Sequence, residues 1–211
     1  FINCLKGTIY YAPLLKVSTL DNAALFDYEM GLDLFYFASI WKAKDSYSKK
    51  ECAYITESYG SRIDLLNMLW IYRCKSYYSV SSASIYTFLI PVNYKLKKSE
   101  IKNIVEARLI QIPGQTAGEY SFTISLISKT RYGKHFDFTS KMPFEEQCNH
   151  IMDEIIFKDF KESPYSLAAI NGYFHMKNSE SAKIITALEC IRYQYSPEKT
   201  LQYINGKGSG I

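Results

Sequence analysis

Residues Ser61 to Arg73, read Ser-Arg-Ile-Asp-Leu-Leu-Asn-Met-Leu-Trp-Ile-Tyr-Arg, are apolar on almost every face of a helix, yet they carry an acid, an amide and two arginines. A helix that is apolar all round has to be buried. Asp64, Asn67 and Arg73 then need partners inside the protein, because an unpaired buried charge or amide costs on the order of several kcal/mol. The chain can supply the surroundings: 211 residues, 47% of them hydrophobic, are ample for a core. Its aromatics are mostly Tyr, 19 against 2 Trp, which suits helix seams where one end of the ring is apolar and the other polar.

Helical periodicity dominates the rest. Leu25, Tyr28, Leu32, Phe35, Tyr36 and Ile40 recur at spacings of three and four, predicting one long amphipathic helix over 22–44 with Asp21 or Asn22 as its cap. A second helix is expected from Glu51 to Tyr59, stopped by Gly60, and the buried helix follows over 61–77. Ser81 caps a short helix that Pro91 closes, and another runs through Ile101, Ile104, Val105 and Leu109. Pro113-Gly114-Gln115-Thr116 is the clearest break and divides the chain into helical lobes 1–112 and 113–205, with 206–211 as a flexible tail. Tyr120 to Ile127 alternates as a strand would, but an isolated strand among helices has no partner. Further helices are expected over 143–161, from 165 or 166 to 176, over 179–193 and over 197–204, with Pro143, Pro164 and Pro197 at their starts. A faint repeat lays Ile63 to Tyr86 over Ser179 to Tyr203, each copy a buried helix followed by a capped short one. The fold class is therefore all-α, built from repeated helical hairpins.

Several function classes fall away. A net charge of +4, spread along the chain, makes no field suited to nucleic acid. Cys4, Cys52, Cys74, Cys148 and Cys190 lie far apart with no C-x-x-C pair, which points to reduced thiols in a cytosolic setting. The chain opens on Phe1 with no recognisable signal peptide, and no run reaches the roughly 18–20 apolar residues of a membrane span. There is no G-x-x-x-x-G-K-[ST] loop, no G-x-G-x-x-G after a strand and no G-x-S-x-G elbow. His135, Cys148, His150, His175 and Cys190 match no structural zinc spacing. No cofactor is expected.

Two constellations remain. Glu29 and Asp33 stand one helical turn apart, where like charges repel unless cations answer them, and Arg62 and Arg73 are the candidates. General acid/base work in a hydrolase is one use of such a pair; an inter-helix ion network is the simpler one. On helix spacing, Glu29, Asp33, Asp64, Asn67 and Arg73 are expected to form the polar network of one lobe. Basic residues gather at Lys95, Lys97, Lys98 and Lys102, and again at Lys129, Arg131, Lys134 and Lys141. They read first as solvated loops, and Lys129, Arg131 and Lys134 are the candidate contacts to a partner or to a membrane surface, where each basic residue contributes about 1 kcal/mol.

Collinear segments then point to a family. Phe26-Asp27-Tyr28-Glu29-Met30-Gly31-Leu32-Asp33-Leu34-Phe35-Tyr36-Phe37, Gly60 with Ile63 to Arg73, Ile85-Tyr86 with Leu89-Ile90-Pro91, Tyr132-Gly133-Lys134 and Pro164 to Phe174 resemble the C/d subunit of vacuolar- and archaeal-type rotary ATPases over nearly the whole chain. The resemblance implies a funnel of helical hairpins on the cytoplasmic face of the membrane, peripheral to it. The funnel would be a non-catalytic socket that receives the central rotor stalk and couples it to the proteolipid ring. By that resemblance the chain begins near the family's Lys-Gly-Thr-x-Tyr segment, Lys6 to Tyr10, and lacks the N-terminal lobe; Ser181 and Lys183 depart from the usual acid-aliphatic-x-Asn pattern. The alternative is a free-standing helical adaptor with no rotary role.

Overall fold

The computed structural model describes residues 2–20, 22–78, 80–107, 126–137 and 142–204. Among them are eight α-helices and no strand: α1 (Tyr11–Ser18), α2 (Leu25–Ala43), α3 (Lys49–Ser76), α4 (Ser82–Phe88), α5 (Lys98–Glu106), α6 (Phe144–Glu162), α7 (Leu167–Arg192) and α8 (Pro197–Ile204). The all-α expectation holds. Most of the alternating segment 120–127 and the proposed lobe break at 113–116 lie outside the described residues.

Local chemistry explains most of the helix starts. Ser48, Ser81 and Ser166 each accept a hydrogen bond from a main-chain N–H of the first turn, at 3.3, 3.2 and 3.1 Å respectively, which satisfies a donor the helix itself leaves orphaned. The start of α2 differs from expectation. Asp21 lies outside the described residues and Asn22 does not cap it; the Asp27 carboxylate reaches back to the Ala24 N–H at 2.8 Å, half of a capping box.

Two predicted breaks are absent. Helix α3 runs unbroken through Gly60 for 28 residues, and at 1.5 Å per residue it is about 42 Å long. Glycine serves there for close approach, not for termination: a Cβ on Gly60 would lie 2.6 Å from Cγ of Tyr94. Gly60→Ala is therefore expected to destabilise the protein by about 1–3 kcal/mol in denaturant unfolding, despite alanine's better helix propensity, because the Tyr94 ring has to move. Helix α7 likewise continues through 177–178, with Lys177 and Glu180 paired at 2.7 Å across one turn.

Helix α3 is the centre of the molecule and packs against α2, α4, α5, α6 and α7. Its Leu65, Met68 and Ile71 join Ile85 of α4, Leu96, Ile101, Ile104 and Val105 around α5, Ile127, Tyr132 and Phe136, and Cys148 and Ile151 of α6 in one core. This core draws on residues from both sides of 113–116. A second cluster joins Ile63 to Phe37 of α2 and to Ile90 and Val92. Lys75, buried in the last turn of α3, donates to the Ala107 carbonyl at 2.5 Å, and Ser82 donates to Val105 at 3.0 Å, so the end of α5 is tied down from two helices.

The two copies of the faint repeat differ in burial. Ile63, Met68 and Ile71 are fully enclosed, whereas Ile184, Ile185, Leu188 and Ile191 in the second half of α7 are each more than half exposed. The Ser179 segment is thus helical as expected but not a buried helix. Helix α7 as a whole packs against α3, α6 and α8, yet these four residues stay open, while most of the Ser61 segment is buried and Arg73 at its end is exposed.

Candidate functional site

The polar residues of α3 form one stripe. Glu57, Gly60, Asp64 and Asn67 follow at spacings of three, four and three, which puts them on a single helix face. That face lies against residues 90–96, a segment between α4 and α5 with no regular structure of its own. Its main-chain groups need partners, and α3 supplies them. Oδ1 of Asp64 accepts from the Tyr94 N–H at 3.1 Å, and Oδ2 accepts from Lys95 and Leu96 at 2.7 and 2.9 Å. The Tyr132 hydroxyl donates the fourth bond to the carboxylate and the third to Oδ2, also at 2.9 Å. One turn on, the Asn67 amide donates to the Ile90 carbonyl at 3.1 Å and accepts from the Ile90 N–H at 2.9 Å. Both side chains are wholly buried. Burial pushes the Asp64 carboxyl above its ordinary pKa, against the pull of the Tyr94, Leu96 and Lys95 N–H groups and of Tyr132.

One turn before Gly60, Glu57 accepts from the Tyr94 hydroxyl at 2.6 Å and from the Lys95 ammonium at 2.5 Å. Burial acts to raise its pKa, but Lys95 and Tyr94 together outweigh that and hold the carboxyl below its usual range. Tyr94 is thereby held at its ring by Gly60, at its hydroxyl by Glu57 and at its N–H by Asp64.

The five residues expected to share one network are divided. Asp64 and Asn67 form the anchor just described. Glu29 and Asp33 do not join it: both are exposed on α2, whose inward face is taken by Phe37, Leu34 and Trp41. Arg73 answers neither of them, since it pairs in two parallel bonds of 2.8 Å with Glu145 of α6. Its side chain is 45% exposed, so the pair contributes about 1 kcal/mol or less. Arg62 sits 5.9 Å over the Phe37 ring, a cation–π contact in place of an ion pair. Lys129, Arg131 and Lys134 are exposed on the turn that carries Tyr132.

Three residues of the site are not among those expected from the sequence. Glu57 lies on the Asp64 stripe and periodicity could have found it. Tyr132 is placed by the turn 128–135, where a Cβ on Gly133 would overlap the Ser128 carbonyl oxygen. The third is Asp159 of α6, 8% exposed, whose Oδ2 is buried without a hydrogen-bond partner among the described residues. Burial, and then the nearby Glu57 carboxylate, push Asp159 up to about 6. The sign follows: the native state holds this proton more tightly than the unfolded chain, whose carboxyl titrates near 4. Stability is therefore lost as pH rises from about 4 to about 6 and stays lower above that. Asp159→Asn is expected to raise stability by on the order of 1–2 kcal/mol at pH 7–8, a value discounted for partial solvent screening, and to leave it unchanged near pH 4. Thermal melts of the two proteins at both pH values check this.

Two clefts flank Asp159, each lined in common by Glu57, Lys158 and Asp159. Among the described residues no group of three or more His, Cys, Asp or Glu is placed to hold a metal ion, and no helix is long and apolar enough to cross a membrane. What the arrangement does chemically is bind main chain: a carboxylate and an amide on one rigid helix immobilise a connecting segment. A model of the ATP synthase (C/AC39) subunit family matches residues 1–203. Searches of the curated proteins and of the solved structures returned no match.

Proposed function

Because this chain belongs to the C/AC39 subunit family of V/A-type ATP synthases, we propose that it is the non-catalytic socket of such a complex, coupling the central rotor stalk to the membrane proteolipid ring from the cytoplasmic side. The observation that supports this role is the way α3 is anchored. An element that transmits torque has to resist shear between its helices, and apolar contacts alone slide more readily than directional bonds do. Asp64 and Asn67 bind the main chain of residues 90–96 through five hydrogen bonds from one helix face, and α3 is packed by five other helices along its length. The desolvation of the buried Asp64 carboxylate is offset in part by its four hydrogen bonds.

The lobe division at 112/113 belongs to the same proposal, with α3 as the inner wall of the first lobe and α6 to α8 in the second. Lys129, Arg131 and Lys134, exposed on the turn that carries Tyr132, are the contacts we assign to a partner or to the membrane surface. The test is co-purification of the tagged chain from a detergent extract. Recovery of rotor-stalk subunits and proteolipid in stoichiometric amounts is expected. A chain that purifies without either of them, from cells whose ATPase is assembled, would overturn the socket role and leave a free-standing helical adaptor.

A further inference from the structure

We infer that the seam between α3 and α6 is a receptor for an organic cation, a guanidinium or alkylammonium group, with Asp159 as its counter-charge. Burying a carboxylate without a partner is costly, and the other acids that line the first cleft have theirs. Glu57 is held by Tyr94 and Lys95, and Asp45 by Lys44 at 2.6 Å. Asp159 alone of the three has a buried oxygen with no hydrogen bond among the described residues. It also stands where a ligand has room, at a cleft of about 720 Å³; the other cleft it borders, about 700 Å³, is lined by Lys95, Arg131, Lys134 and Lys158 and does not suit a cation.

The lining selects the class of ligand. Tyr47, Tyr54 and Tyr94 border the first cleft, and its acids Asp45, Glu57 and Asp159 outnumber its cations Lys49 and Lys158; tyrosine rings beside a surplus of carboxylate suit a delocalised or weakly hydrated cation. A calcium-like ion needs six or more oxygen ligands, and no such group of side chains exists among the described residues. Lys158 borders both clefts and makes no hydrogen bond to Asp159. It lowers the cost of the buried charge from a distance and competes with any cation that enters. The hydroxyl of Ser163, one turn after Asp159, donates to the Tyr54 hydroxyl, so the aromatic wall is attached to the same helix as the acid.

The group can come from a protein side chain or from a free polyamine, and calorimetric titration of the full chain with Nα-acetylarginine N-methylamide and, separately, with putrescine distinguishes them. Saturable binding of at least one probe is expected. Binding of the arginine amide alone identifies a side chain, and binding of putrescine alone a polyamine. Asp159→Asn, which removes a buried charge and whose fold is checked by far-UV circular dichroism, is expected to weaken that binding about ten-fold or more. Lys158→Gln is expected to strengthen it. Absence of saturable binding to the native chain, or equal affinity for the Asp159→Asn protein, would overturn the assignment. The outcome is independent of whether the chain couples a rotor to a ring, because both probes are tested on the isolated chain.

Discussion

Asp64→Ala is expected to cost roughly 3–5 kcal/mol in denaturant-induced unfolding. The substitution leaves the N–H groups of Tyr94, Lys95 and Leu96 and the hydroxyl of Tyr132 buried without an acceptor. Each such orphan costs about 1–3 kcal/mol, and bonds to a charged acceptor lie at the upper end. Part of the loss is recovered if segment 90–96 detaches and lets water reach those groups. The signature is then local as well as global: amide exchange at 94–96 accelerates before the rest of α3 opens. Asp64→Asn keeps one acceptor oxygen but turns an N–H₂ toward main-chain donors, so it falls between alanine and the native residue. A loss below about 1 kcal/mol for Asp64→Ala would show that α3 does not hold the segment.

Asn67→Ala is the second large effect, about 2–4 kcal/mol, from the Ile90 N–H and carbonyl left unpaired in a site that excludes water. The two variants differ in character. Asn67 is neutral, so its contribution is independent of pH, whereas that of Asp64 varies with pH: burial holds its carboxyl above the ordinary pKa, so the native state binds the proton more tightly than the unfolded chain and stability falls as pH rises through that range. They should also couple. Both residues restrain one segment, so the Asp64→Ala/Asn67→Ala double variant is expected to lose less than the sum of the single losses, with the shortfall measured by a double-mutant cycle. Additive losses would mean that residues 90 and 94–96 are held separately.

How much of this could be read from the chain depends on where each partner lies. Asp64 and Asn67 stood out because a polar residue inside an apolar helix has to be satisfied, and both are satisfied. Their partners were not legible, since main-chain N–H and carbonyl groups exist at every residue and leave no mark in the sequence. Glu29 and Asp33 do lie one turn apart, yet spacing cannot say which way that face turns. Phe37, Leu34 and Trp41 decided it by packing inward, and the two acids went to solvent. Arg73, in the last turns of α3, reached Glu145 of α6, in a charged stretch that reads as a solvated face. Gly60 carries the same letter whether it ends a helix or admits a ring. Only Tyr94, 34 positions away, shows that it does the second.

Local chemistry sufficed for the all-α class, the burial of most of 61–72, most helix starts and the need to satisfy Asp64 and Asn67. Those follow from periodicity, capping and the cost of an unpaired polar group, all of which act within a few residues. The tertiary structure alone decided which segment α3 holds, that α3 and α7 each run without a break, that the second copy of the repeat lies exposed, and that Asp159 is enclosed between two clefts. The physical reason is that these depend on contacts between residues tens of positions apart, where the outcome is set by which surfaces fill the space around α3 and not by the preference of any single residue.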